Sequence, residues 1–361
     1  MTEEAAEVLR LHPRKVPVSG LILGTGPLGC GWSGDVSDQA ASETIARALS
    51  LGIRYVDTAP WYGAGLSEQR VGKALSEDER APPRREDSCG QDKRRTLSES
   101  DSVLVATKAG RYIVSRTEAE AHGDRVERGY DFNTEKYHDN IPVWDYRRDG
   151  ILESFRQSQE RLRMDYIDCL RIHDAEHEER WQEATAPGGG VEALVALRKD
   201  GKIRNVSLGF NSAEYLVRTL RHFPLGTFDN IMVASTWNLL DTSAYDLLLE
   251  CQKRGVKVHM AAVFCAGLLW GRQTFKYSSE VPGEVAAKAQ RWSEFASARG
   301  LSLPAVALAF AYLPECVERV AFGASSPTEV SANVDLCEVD VPAEFWRAAQ
   351  QDGLLPAHLQ L

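Results

Sequence analysis

No stretch of this chain is apolar enough to cross a bilayer; none approaches the roughly 18 consecutive apolar residues that a spanning helix needs. The segment Met1 to Arg14 carries acids and has no apolar centre. It does not read as a secretory signal, and the chain is expected to be cytoplasmic. Positive charge is in deficit, with 42 Lys and Arg against 52 Asp and Glu and a net charge of −10. No basic stripe of domain size is left over, which excludes nucleic acid and anionic membranes as expected partners. The seven cysteines (Cys30, Cys89, Cys169, Cys251, Cys265, Cys316 and Cys337) include no C-x-x-C pair and no zinc-type spacing. Such scatter fits reduced thiols better than a disulfide framework, and no metal is expected. Gly24, Gly26 and Gly29 have the spacing of G-x-G-x-x-G, but the next helical pattern starts only at Asp38, so the run is a weak signal for that motif and an open dinucleotide-binding sheet is disfavoured.

What is present is the composition of an ordinary soluble protein, 361 residues with 43% hydrophobic and 26% charged. Short apolar segments at 18–26, 53–56, 103–107, 166–172, 203–208, 231–234, 256–263 and 319–322 read as strands. They alternate with helical patterns at 38–51, 67–75 (Ser67 as N-cap), 151–162, 191–199, 213–221, 244–253, 284–299 and 304–313, and another helix follows Pro327. Eight strands in βαβ alternation favour an α/β fold closed as a (β/α)8 TIM barrel. The chain reads as one domain, 1–361, with a core at about 18–334 and a C-terminal extension at 335–361. The polar, Pro- and Arg-rich stretch 77–101 reads as a mobile surface insertion, and 109–147 as a long polar and aromatic loop.

In such a barrel, chemistry is placed where the strands end at their carboxyl side. Asp57, Lys108 and His173 end three of the strands, and Tyr62 follows Asp57 in the loop Thr58-Ala59-Pro60-Trp61-Tyr62-Gly63. Each alone has a structural reading: an acid capping a turn, a filler phenol, a solvated lysine, a core histidine. Together they make chemical sense. An ammonium beside a phenol stabilises phenolate and makes it a usable proton donor or acceptor near neutrality. Asp57 would hold Lys108 charged, and His173 would bond the substrate oxygen.

The same residues lie in blocks that resemble the aldo-keto reductases: 57–63, Leu66-Ser67-Glu68, Val71 to Leu75, Ala106-Thr107-Lys108, Arg161 to Asp168, Ile172-His173-Asp174, Gly267-Leu268-Leu269, and Gly323 to Asn333. The resemblance runs from about Val18 to Val334. It implies a TIM barrel, a nicotinamide cofactor lying extended across the rim, and a tetrad of Asp57, Tyr62, Lys108 and His173. Lys108-Ala109-Gly110-Arg111-Tyr112 and Gly129-Tyr130-Asp131-Phe132 are similar to the L-galactose and D-threo-aldose (L-fucose) dehydrogenase branch. That branch implies oxidation of the C1 hydroxyl of a cyclic sugar to a lactone, with Tyr62 as base.

By the same resemblance Gly24-Thr25 and Gly209 lie near the nicotinamide, and Phe264, Cys265, Gly267 and Leu268 cradle the pyrophosphate. Gly323, Ser325 and Ser326 lie near the adenosine ribose, and Asn333 contacts adenine. No Lys or Arg occurs between Val320 and Phe345, and Glu329 stands where an arginine often meets the 2′-phosphate, so NAD is expected over NADP. Gly209-Phe210 replaces the family's usual Ser-Asn pair, and Ala234 its usual glutamine. Trp61, Tyr112 and Trp237 are the expected substrate contacts, for a small-molecule substrate and with no protein partner expected. The alternatives are an NADPH-dependent aldehyde or ketone reductase, a pyridoxal dehydrogenase of the same branch, or a non-catalytic nicotinamide-binding subunit of the kind that regulates potassium channels.

Overall fold

The strand Ile167–His173 is buried at all seven positions, as a strand covered on both faces must be. It belongs to a computed structural model that describes residues 8–30, 35–76, 102–127, 139–276 and 278–360. The expected insertion at 77–101, the 129–132 stretch and Cys89 lie outside the described residues. The strands are β1 (Leu21–Gly24), β2 (Tyr55–Asp57), β3 (Leu104–Ala109), β4 (Arg111–Ser115), β5 (Asn140–Trp144), β6 (Ile167–His173), β7 (Ile203–Phe210), β8 (Asn230–Ala234), β9 (Lys257–Ala261) and β10 (Val317–Gly323). Eight of them close a parallel barrel in the order β1-β10-β9-β8-β7-β6-β3-β2, and β4 and β5 pair outside it. The expected (β/α)8 barrel is the observed fold.

Side chains alternate across each strand, so the inner face can be read in steps of two. Ile22, Tyr55, Ala106, Cys169, Met232 and Ala321 form one buried cluster, distinct from the large apolar shell that includes the helices. Two residues beyond Tyr55, Ala106 and Cys169 come Asp57, Lys108 and Arg171, followed after two more by His173. The inner face therefore turns polar toward the carboxyl end, in one layer spanning three neighbouring strands.

The amphipathic helices cover the outside through single apolar faces, while Leu303–Ala311 has no exposed position. In Asp38–Ser50 the buried residues Ala41, Ile45, Ala48 and Leu49 recur at helical spacing, and the Ser37 hydroxyl accepts from Ala40 N at the N-cap. Ser67 is not the N-cap expected of it. The next helix, Leu66–Ser76, already includes it, and its hydroxyl instead donates to the carbonyl of Thr25. The stretch read as an irregular loop, 109–147, contains the antiparallel hairpin β4–β5, which pairs Tyr112 with Val143 and Val114 with Ile141. Those apolar positions lie too far apart in sequence to announce a hairpin. The core also runs past its expected limits. Leu9 and Leu11 are buried at one end, and Phe345, Trp346 and Leu359 at the other. The helix Ala343–Gln351 sets Phe345 against Phe295 and Trp346 against Phe310, so the C-terminal segment is part of the packing.

Candidate active site

Tyr62 reaches the rim because two loops meet backbone to backbone. Gly63 has φ +65°, and a Cβ there would stand 2.1 Å from the carbonyl oxygen of Gly29; one on Gly29 would stand 2.5 Å from that of Tyr62. Only glycine permits that approach. Below it, Thr25 donates its backbone N–H (2.9 Å) and its hydroxyl (3.0 Å) to the carbonyl of Asp57, which pins the end of β2. Asp57, Tyr62, Lys108 and His173 then face one cleft of about 550 Å³.

Lys108 organises the floor of this cleft. Its ammonium donates to Asp57 Oδ1 (2.5 Å), to the carbonyl of Thr58 (2.9 Å) and to the Tyr62 hydroxyl oxygen (3.1 Å), so all three of its protons are placed. Arg171 Nε holds the other oxygen of Asp57 at 3.0 Å. Burial would raise the Asp57 carboxyl, but the charges of Lys108 and Arg171 prevail and hold it below the ordinary carboxylate range. For Lys108, burial pushes the ammonium down, Asp57 opposes this, and the net direction is downward. The His173 ring stands edge-on to that of Tyr62 with centroids 6.1 Å apart. Burial, reinforced by the charges of Arg111, Lys108 and Arg171, drives its pKa well below 6.5, so the imidazole is neutral. A neutral imidazole beside an ammonium-supported phenol can hold a substrate oxygen while a proton moves.

The wall next to His173 is a second polar group. The Arg111 guanidinium lies 4.7 Å above the Trp61 ring, donates to the carbonyl of His173 (3.2 Å), and pairs with Glu127 (2.7 Å) and Asp174 (3.5 Å). Tyr146 also donates to the His173 carbonyl, at 2.5 Å. Asp174 lines the cleft with φ +49°, a left-handed conformation that Asp tolerates better than most residues, and burial raises its carboxyl.

The far side of the cleft suits an extended nucleotide. Cys265, Ala266 and Gly267 have φ values of +52°, +56° and +96° in succession, a tight backbone curl with Phe264 beside it at the cleft wall. Asn333 lines the same wall. Its amide donates to the Glu329 carbonyl, while its Oδ1 is buried with no hydrogen-bond partner among the described residues. A buried acceptor left unmatched costs about 1–3 kcal/mol, which a donor such as an exocyclic amine would recover. Gly24, Gly209, Gly323 and Glu329 also line the cleft.

Several expected contacts stand elsewhere. Thr25 is fully buried beneath Asp57, and Leu268 packs into the apolar core. Ser325 gives its N–H and hydroxyl to Glu329, and Ser326 caps the helix Pro327–Asp335 through Glu329 N. Neither serine lines the cleft. Tyr112 sits on β4 against His122, outside the cleft lining. Trp237, expected to face substrate, is a core residue: it is 1% exposed and stacked on Phe310 at 5.2 Å, where burial of a large ring outweighs display at a mouth. The stretch without Lys or Arg is not without positive charge either. Arg272, from the loop after β9, lies 2.6 Å from Glu329 Oε1.

Sequence reading missed Arg171, Arg111, Asp174 and Arg272. Arg171 had a signal, since it precedes His173 by two on one strand and so shares its inward face. Asp174 stood beside a chosen residue. Arg111 opens β4 and Arg272 lies in the loop after β9, both in stretches whose course no periodicity reveals.

The aldo/keto reductase family model matches residues 20–351. The chain is 31% identical to the pyridoxal 4-dehydrogenase of Microbacterium luteolum, over 98% of this chain and 99% of that one. It is 30% identical to the D-threo-aldose 1-dehydrogenase of a Pseudomonas species, over 89% and 90%. The solved glycerol dehydrogenase of Gluconobacter oxydans superposes with a TM-score of 0.64 at 24% identity, over 98% and 97%, a likeness of fold. With the family model covering most of the barrel, this chain is an oxidoreductase that belongs to the aldo/keto reductase family.

Proposed function

We propose that this enzyme oxidises the C1 hydroxyl of a cyclic aldose of the L-galactose, L-fucose or D-arabinose type to the lactone, with NAD as cofactor. The observation that carries the reading is the Lys108 ammonium bridging Asp57 and the Tyr62 hydroxyl at the floor of the cleft. Tyr62 takes the C1 hydroxyl proton as the C1–H bond breaks and the C1–O bond becomes a carbonyl. His173, kept neutral, donates to the same oxygen and orients it. A bound nicotinamide would supply the acceptor for the hydride that leaves C1.

The remaining residues act by placement. Trp61, held under Arg111, offers a ring for the apolar face of a sugar, and Asp174 offers acceptors for its hydroxyls. The curl at Phe264, Cys265 and Gly267 would hold the pyrophosphate, Asn333 Oδ1 would accept from the adenine amine, and Gly24 and Gly209 would let the nicotinamide lie close. Glu329 supports NAD: it already neutralises Arg272, so a 2′-phosphate would have to displace a carboxylate from that pair.

The likeness to a pyridoxal 4-dehydrogenase supports a second reading, an aromatic hydroxyaldehyde substrate in the same cleft. Initial rates with L-galactose, L-fucose, D-arabinose and pyridoxal, each with NAD and with NADP, separate the two. Turnover of pyridoxal alone overturns the aldose assignment, and a preference for NADP overturns the argument from Glu329.

A further inference from the structure

Arg171 is 0% exposed, yet each of its five N–H donors meets an acceptor. Nε donates to Asp57 Oδ2 (3.0 Å), Nη1 to Ser207 Oγ (2.6 Å) and Asn230 Oδ1 (2.7 Å), and Nη2 to the Tyr55 hydroxyl (3.3 Å) and His259 Nδ1 (2.8 Å). Asp57 is the only charged partner of the five. His259 must be neutral with Nδ1 as acceptor, because a guanidinium offers no lone pair. Its Nε2–H is then free to donate to Glu318 Oε2 at 3.1 Å. Burial, ahead of the opposing pull of Glu318, lowers the His259 pKa to about 4, in keeping with that tautomer.

The charges facing Tyr62 can be counted element by element among the described residues. From β4 and its neighbours, Arg111 and Arg180 are matched by Glu127 and Asp174. His173 on β6 is neutral, and burial keeps the Cys30 thiol protonated, raised to about 12. Tyr55 and Cys169, deeper in the barrel, are likewise held protonated by burial. At the opposite end Glu318 sits beside Arg319. That leaves Asp57, Lys108 and Arg171: one carboxylate between two cations.

We propose that Arg171 is a positioning residue acting through Asp57, giving the buried cluster beneath Tyr62 one surplus positive charge that ionisation of the phenol cancels. A phenol whose ionised form completes a neutral cluster is suited to accept a proton, which is the oxidative direction. Lys108 touches the phenol; Arg171 decides whether the charge of Lys108 is already used up by Asp57. The inference rests on the reading of Tyr62 as proton acceptor, but its test does not require turnover.

The test is an ultraviolet tyrosinate titration of the full-length protein with NAD bound, taken as the difference between Tyr62 and Tyr62→Phe forms. It is run on the wild type, Arg171→Met, Arg171→Lys and Asn230→Asp. Asn230→Asp keeps an acceptor for Arg171 and adds the missing negative charge without removing the guanidinium, so it carries the test if Arg171→Met fails to fold. Both neutralising variants should raise the Tyr62 midpoint by about one pH unit or more, and Arg171→Lys should stay near the wild type. The pH midpoint of sugar oxidation should follow, with kcat affected more than KM. Midpoints unchanged in Arg171→Met or Asn230→Asp, or a shift in Arg171→Lys as large as in Arg171→Met, overturn the proposal. If no sugar is oxidised while the midpoints still move, the substrate assignment fails and the charge argument stands.

Discussion

Lys108 Nζ lies 3.1 Å from the Tyr62 hydroxyl oxygen, and its two remaining protons are bound by Asp57 and by the carbonyl of Thr58. The phenol oxygen therefore receives a charged donor in fixed geometry, and it is the atom through which the proton would leave substrate. Replacing Tyr62 by Phe removes that atom and little else. We expect kcat to fall by about 10²- to 10⁴-fold with KM for the sugar nearly unchanged, measured by steady-state kinetics. A fall in affinity alone would reassign Tyr62 to binding.

Asp57→Asn leaves Lys108 and Arg171 buried without their common carboxylate. Breaking a buried ion pair from one side costs about 3–5 kcal/mol, because the remaining charge stays uncompensated. Chemical denaturation of this variant should show a loss of that size. A loss below about 1 kcal/mol would mean the two cations are otherwise solvated.

The two tryptophans first grouped as substrate contacts should behave oppositely. Trp237, stacked on Phe310 inside the core, should lose about 3–5 kcal/mol of stability on replacement by Ala. Trp61→Ala should raise KM for the sugar, since its ring lies at the cleft beneath Arg111. Thermal melts and Michaelis constants of both variants decide this.

Stability should fall on mild acidification. The His259 pKa is about 4 in the folded protein, against 6.5 as its ordinary value. The unfolded chain therefore takes up that proton first. The contribution is full above pH 6.5 and is lost as pH falls from there toward 4; a gap of that size corresponds to about 3 kcal/mol. His173, pushed down in the same direction, adds to it. His259→Asn keeps an acceptor for Arg171 but cannot take up a proton, so its stability should vary less across this window in denaturant titrations at stepped pH. An unchanged slope would show that other groups govern acid unfolding.

The barrel was legible because short apolar strand runs and helical faces are local patterns, and β6 shows both its burial and its polar carboxyl end within seven residues. The Asp57, Tyr62, Lys108 and His173 cluster was legible for the same reason, with strand ends marking the rim. Three of the resembling blocks owe part of their pattern to packing: Glu68 in one bonds Arg161 of another at 2.7 Å and also meets Thr107 of a third. What sequence could not supply was proximity between distant loops. The Arg272–Glu329 contact spans 57 positions, and β4 and β5 pair across a long excursion, so neither leaves a periodic trace. Trp237 was misplaced because an aromatic beside a strand end looks the same whether it turns toward the cleft or toward Phe310.

The most direct measurement follows a label. The protein is incubated with NAD and an aldose of the L-galactose or L-fucose type carrying deuterium at C1, and products are read by nuclear magnetic resonance. Lactone formation is expected, with deuterium transferred to the nicotinamide ring, in the wild type and not in Tyr62→Phe. Oxidation at another carbon, transfer without lactone, or undiminished transfer in Tyr62→Phe would contradict it.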